Sequence, residues 1–205
     1  MYRPPKYRKD DKDFIYSFIQ QHPFGVFIMN GENLIATHIP ILIEGDVENW
    51  RLYSHIANHN EQYQYLKDGA DVLIIFQGSH AYISSSWYKE KDISTWDYSA
   101  VHVNAKIKIQ SPEELEKSLE KLVHHFEKFQ EKPLFYKDIP KQMLLEHLPL
   151  ITGFWLEPYK IQGIKKLHQS YPEYDIRRTV EKLGNSDNSN DRQLSEEIKK
   201  ENKID

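Results

Sequence analysis

The chain has 205 residues, of which 39% are hydrophobic and 28% charged, enough to bury one sizeable core and too apolar for a disordered chain. It carries no cysteine, which excludes disulfide scaffolds, thiolate metal sites and a cysteine nucleophile. A formal net charge of -4 gives no global pull toward nucleic acid, and no apolar run approaches a membrane span. Met1 to Lys6 is basic without an apolar stretch behind it, so no signal peptide is expected and the protein is expected in the cytoplasm.

In chain order, Asp10 to His22 places Phe14, Ile15, Phe18 and Ile19 at helical spacing, with Pro23 as the stop. Phe24 to Met29 and Leu34 to Ile43 read as strands around Asn30-Gly31, a hairpin signal. Gly45-Asp46 turns the chain into a strand over Trp50 to Ala57, followed by a short helix over Asn60 to Lys67 capped by Asn58 or Asn60. Asp71 to Phe76 is a continuous apolar strand; Gln77-Gly78-Ser79 then predicts a turn, with His80 to Ser84 returning. Tyr98 to Ile109 alternates, with Val101, Val103, Ala105, Ile107 and Ile109 on one face. Ser111-Pro112-Glu113-Glu114 starts a helix to about Phe129, with Leu115, Leu119, Leu122, Val123 and Phe126 as its buried stripe. Pro140 to His147 and Glu173 to Leu183 read as helices and Leu150 to Ile164 as the last strand. From Gly184 onward the chain is polar and reads as a disordered tail, giving one domain over 1–183 and a tail over 184–205. Many short strands with tight turns predict a predominantly β, α+β barrel rather than a parallel sheet.

Ten histidines invite a metal or haem reading, but none has zincin spacing and no Asp/Glu set completes a coordination sphere, so local hydrogen bonding is the favoured role and no metal site is assigned. Ser54 to Asn60 joins a strand end to a helix start, where backbone N–H groups favour an anion, although an Asn cap explains the same residues. Two further segments, Gln77 to Tyr88 and Ser94 to His102, are polar and aromatic, suited to stacking on a planar ring or packing at a dimer seam. A Ser-His-Asp hydrolase lacks its Gly-x-Ser-x-Gly elbow, and no catalytic residue is assigned.

Together these segments resemble the PaiB family of FMN-binding negative transcriptional regulators. The resemblance is carried by Met1-Tyr2-x-Pro4, His38-Ile39-Pro40, Ser54-His55-Ile56-Ala57, Phe76 to Ser84, Trp87-Tyr88, Thr95-Trp96-Asp97-Tyr98, Val101-His102, Gly153-Phe154 and Lys166-Leu167-His168-Gln169, in family order over roughly Met1 to Leu183. It implies an FMN-binding split β-barrel with flanking helices, built as a homodimer, with FMN as cofactor and DNA as a partner through the regulatory role. It also implies a flavin site in which Ser54, His55, Asn58 and Asn60 face the phosphate. His38, Tyr82, Trp87 and Trp96 lie near the ring or ribitol, and Lys166 and Gln169 come from the last strand. The departures are Asn58 where members usually carry Arg, Asn60-Glu61 for Asn-Pro, Ser85-Ser86 for Ser-Pro, and His168-Gln169-Ser170 for Ser-Gln-Asn. Losing an Arg removes a bidentate phosphate contact and Glu61 adds like charge, so weakened FMN binding is expected. FMN-dependent redox chemistry and haem handling are the alternative functions. The redox substrate, the operator and direct DNA contact are not legible in the residues.

Overall fold

The computed structural model describes residues 1–204. Its described strands form one sheet in the order β2-β1-β5-β6-β7-β4-β3: β1 Phe24–Asn30, β2 Leu34–Pro40, β3 Leu42–Gly45, β4 Trp50–Ala57, β5 Asp71–Ile83, β6 Thr95–Ile109 and β7 Ile151–Lys166. The helices are α1 Lys12–Gln21, α2 Pro112–Glu127, α3 Lys141–His147, α4 Glu173–Gly184 and α5 Ser189–Asn202. The chain divides into two units. One comprises 1–18, 77–102 and 162 onward, and the other 19–76 and 103–161; β5, β6 and β7 contribute residues to both.

In the second unit the expected hairpin forms, pairing Asn30 with Leu34 through Phe24 with Pro40. The single strand expected over Leu34 to Ile43 is instead two. Ile41, fully buried, donates its N–H to the Pro23 carbonyl at 2.7 Å, outside any ladder. The chain leaves β2 at one edge of the sheet and begins β3 at the other, pairing Leu42 with Tyr53. Pro40 has no N–H to continue a ladder, so the break falls beside it. Gly45 takes φ +112°, which a side chain rarely adopts, and Asp46 closes the turn by accepting from the Glu48 and Asn49 amides. The core of this unit is Phe27, Leu52, Ile74, Phe76, Phe154 and Leu156, each fully buried, with the Phe27 and Phe154 rings stacked at 5.2 Å. Ser111 and Glu114 form a capping box at the start of α2, and Glu114 also accepts from the Trp155 indole at 3.1 Å, which ties the helix to β7. Of the expected stripe on α2, Leu115 is buried, Leu119, Leu122 and Val123 are half-buried, and Phe126 is exposed.

In the first unit the turn expected at Gln77-Gly78-Ser79 does not form. Strand β5 runs unbroken, and its buried positions change from Val72, Ile74 and Phe76 to Ser79, Ala81 and Ile83. The polar run marks a change of phase, not a reversal of direction, because a glycine within a strand can be extended without ending it. The polar tail expected from Gly184 is also corrected. Asn188 caps α5, whose Leu194, Ser195 and Ile198 are fully buried, and α4 and α5 pack into one cluster with Leu167, Ile176, Val180 and Leu183. The Ser195 hydroxyl donates to the Val180 carbonyl at 2.8 Å. Two apolar side chains four residues apart are enough for one narrow helical face, although the composition around them is that of a disordered chain.

Candidate functional site

The ten residues assigned from the sequence fall into two groups. In the second unit, the Ser54 hydroxyl, buried at 2% exposure, donates to the Pro40 carbonyl at 2.7 Å. The Asn58 amide nitrogen donates to the Pro149 carbonyl at 2.9 Å, its oxygen accepts from the Thr152 hydroxyl at 2.7 Å, and its backbone N–H donates to Leu150. Asn60 caps the following short helix by accepting from the Gln62 amide at 2.9 Å, and its amide nitrogen donates to Thr37. These three side chains therefore act as clips that pin the strand end to its neighbours. His55 is half-buried, and burial pushes its pKa down, so it is neutral at pH 7. His38 is exposed on β2 and lies against the Phe24 ring at 6.0 Å.

In the first unit, Tyr82 on β5 and Trp96 on β6 are 52% and 50% exposed, with ring centroids 6.3 Å apart. His80 completes the cluster: the Trp96 indole donates to His80 Nδ1 at 3.2 Å, and their rings lie 5.8 Å apart. With Nδ1 accepting, the ring N–H of His80 is carried on Nε2. Asn190 of α5 holds the His80 backbone from both sides, donating to its carbonyl at 2.6 Å and accepting from its N–H at 3.3 Å. Trp87 is half-buried against the α4–α5 cluster rather than open to solvent beside Trp96. Gln169 is spent locally, accepting from Leu167 N–H at 2.7 Å and donating to the Lys165 carbonyl at 2.9 Å.

Lys166 leads to a pair that the sequence reading missed. Its ammonium donates to the Thr95 hydroxyl, to the Trp96 carbonyl at 2.6 Å and to Asp97 Oδ1 at 3.3 Å. The other Asp97 oxygen accepts from Nδ1 of His168 at 2.7 Å, with both side chains at most 1% exposed. The His168 ring stacks on Tyr171 at 3.9 Å, and among the described residues its buried Nε2 has no hydrogen-bond partner. His168 sits at φ +64° and Ser170 at +73°, left-handed conformations that the surrounding bonds must hold. A signal for this network was present: Asp97 occupies the inward face of β6 with Ser99, Val101 and Val103, and a carboxylate facing a core requires a buried partner. The network fixes the backbone on which Trp96 is carried.

The aromatic face of Tyr82, Trp96 and His80 fits the planar ring of a flavin. Of the side chains assigned to its phosphate, Ser54, Asn58 and Asn60 each make a hydrogen bond within the chain, as does Lys166 of the last strand. Among the described residues, no group of three His, Asp or Glu side chains could hold a metal ion, and no helix is long and apolar enough to cross a membrane.

Residues 1–158 match the family described as "Putative FMN-binding domain". The protease synthase and sporulation protein PAI 2 of Bacillus subtilis (strain 168) is 32% identical over 197 residues, covering 96% of this chain and 95% of that protein. Among solved structures, the FAD and haem binding protein from Mycobacterium smegmatis superposes with a TM-score of 0.60 at 12% identity, over 83% of this chain and 79% of that one. The flavocytochrome Anf3 from Azotobacter vinelandii gives 0.60 at 14%, over 86% and 78%. At such identities the likeness is one of fold, that of an α+β split barrel with flanking helices.

Proposed function

We propose that this chain, which belongs to the Putative FMN-binding domain family together with PAI 2 of B. subtilis, is a flavin-binding regulator of gene expression that holds its ligand chiefly by the ring. The observation that carries the reading is the Tyr82–Trp96–His80 face: half-exposed aromatics on two strands, set by an indole-to-imidazole bond and braced by Asn190, Lys166 and Asp97. Solvent-exposed aromatic area that is held rigid loses little entropy on stacking against a planar ligand. A flavin bound there would supply electron-transfer or sensing chemistry, and the chain supplies orientation and a partly dry surface. With the assigned phosphate donors already bonded internally, FMN and riboflavin should bind with similar affinity.

The regulatory half of the proposal rests on the resemblance to the PaiB family of negative transcriptional regulators, alongside a relative named for protease synthesis and sporulation, and a homodimer in the cytoplasm belongs to the same reading. Dimerisation is supported by apolar side chains left in solvent over the α2–α3 region, with Phe129 at 77%, Leu145 at 68% and Leu150 at 58% exposure.

The test is a titration of the purified protein with FMN and with riboflavin, followed by flavin absorbance and fluorescence, with molar mass measured alongside. Both flavins should shift on binding, with affinities within about threefold of each other, and W96A should weaken both about tenfold, the scale of one lost aromatic contact. A protein that leaves both spectra unchanged refutes flavin binding; a W96A variant that binds like the parent refutes the assigned face.

A further inference from the structure

Within the second unit, α2 does not close over the sheet along its whole length. Leu122 packs on the cluster of Leu42, Tyr53 and Trp155, and beside that contact lies a cavity of about 620 Å³, within the range of small-molecule sites. Its apolar side is formed by Leu42, Ile43, Tyr53 and Phe135. Leu42 and Tyr53 are core residues with 5% and 3% exposure, so this wall belongs to the rigid sheet rather than to a loop. None of the ten side chains assigned from the sequence lines it.

The other side of the cavity is cationic. Lys121, Lys128 and Lys137 line it with His124 and His125, against one carboxylate, Glu120. Lys121 is paired with Glu44, but Glu44 also binds Arg51 at 2.7 Å, so that triad keeps one net positive charge. Lys128 lies 4.8 Å from the Phe129 ring centroid, and among the described residues neither Lys128 nor Lys137 pairs with a carboxylate. The His124 ring stacks on Phe135 at 5.5 Å, which joins the basic rim to the apolar wall. Burial first, then Lys128 and His124, push the pKa of His125 down, leaving a neutral imidazole that can donate or accept. Tyr53 is pushed up to about 12 by burial and by Glu44, so its hydroxyl stays protonated. In a chain whose net charge is negative, a cavity with this surplus of lysines over carboxylates selects for ligand charge.

We propose that the α2–β3–β4 cavity is a binding site for a small amphipathic organic anion: a carboxylate or phosphate ester whose apolar or aromatic body lies on Leu42, Ile43, Tyr53 and Phe135 while Lys128 and Lys137 take the charge. This proposal is independent of flavin binding, and a colourless, flavin-indifferent protein leaves it intact.

Isothermal titration of the full chain with three probes of one shape tests it: 1-naphthoate, 1-naphthylmethanol and 1-naphthylmethylammonium, with 1-naphthyl phosphate to separate carboxylate from phosphate preference. One saturable site is expected per chain, at which both anions bind at least tenfold tighter than the ammonium and weaken as salt is raised. The exposed pair K128E/K137E should lower anion affinity at least tenfold with an unchanged melting temperature, and K200E on α5 should leave it unchanged. Equal affinity for anion and ammonium, or anion binding indifferent to K128E/K137E, overturns the proposal. So does the absence of saturable binding; if K128E/K137E then also changes the molar mass in solution, the occupant of the cavity is a second copy of the chain.

Discussion

Ile198 on α5 is fully buried, within a stretch whose composition is that of a disordered tail, and its truncation to alanine measures whether the helix is integral to the first unit. The change removes three carbon atoms from a cluster made with Leu167, Ile176, Val180, Leu183 and Leu194. At about 0.8 kcal/mol per buried methylene the transfer loss is about 2.4 kcal/mol, and an unfilled cavity brings the total to about 3 kcal/mol. For a chain of this size that corresponds to a melting temperature lower by about 6–12 °C. Urea unfolding followed by far-ultraviolet circular dichroism should show a lower midpoint at unchanged slope. Lys200, exposed on the same helix, provides the control, since K200A should stay within about 0.5 kcal/mol of the parent. If I198A melts like K200A, α5 does not contribute to the stability of the fold, and its Asn190 clamp on His80 cannot hold the aromatic face.

Two further outcomes follow from the site. Burial lowers the pKa values of His22, His55, His102 and His125, so below about pH 6.5 the unfolded chain takes up protons that the folded chain resists. Their contribution is fully present above that pH and is lost as pH falls, so the melting temperature should drop between neutral pH and about pH 5.5. A flat profile refutes this, and E197Q should steepen the drop, because burial raises the Glu197 pKa and gives the opposite slope. N58A removes the bonds to Pro149 and Thr152 and should destabilise by about 1–2 kcal/mol in the same urea assay, with flavin affinity changed less than about twofold. A large affinity loss at unchanged stability would instead make Asn58 a ligand contact.

The elements with strong local signals were legible. Alternation over Tyr98 to Ile109 gave the face of β6 because period two is a property of the strand itself, and Ser111 with Glu114 gave the start of α2 because a cap is made within four residues. Trp96 and Tyr82 could be singled out as aromatics in polar surroundings, and the structure leaves both half-exposed and 6.3 Å apart. Where the sequence misled, the deciding partner lay far along the chain. Gln77-Gly78-Ser79 has the composition of a turn, but the ladder of β5 carries it through extended. Gly184 onward has the composition of a tail, but α4 supplies the apolar surface on which Leu194 and Ile198 close. The hydrogen bonds of Asn58 with Pro149 and Thr152, and of Lys166 with Asp97, likewise join segments far apart in the chain and leave no local signal. The sequence by itself thus determined the periodicity, the caps and the family, which are written in neighbouring residues. The tertiary structure alone decided which polar groups are already bonded and which aromatic surface stays open, because a hydrogen bond or a buried face belongs to two segments at once and neither carries the other's position.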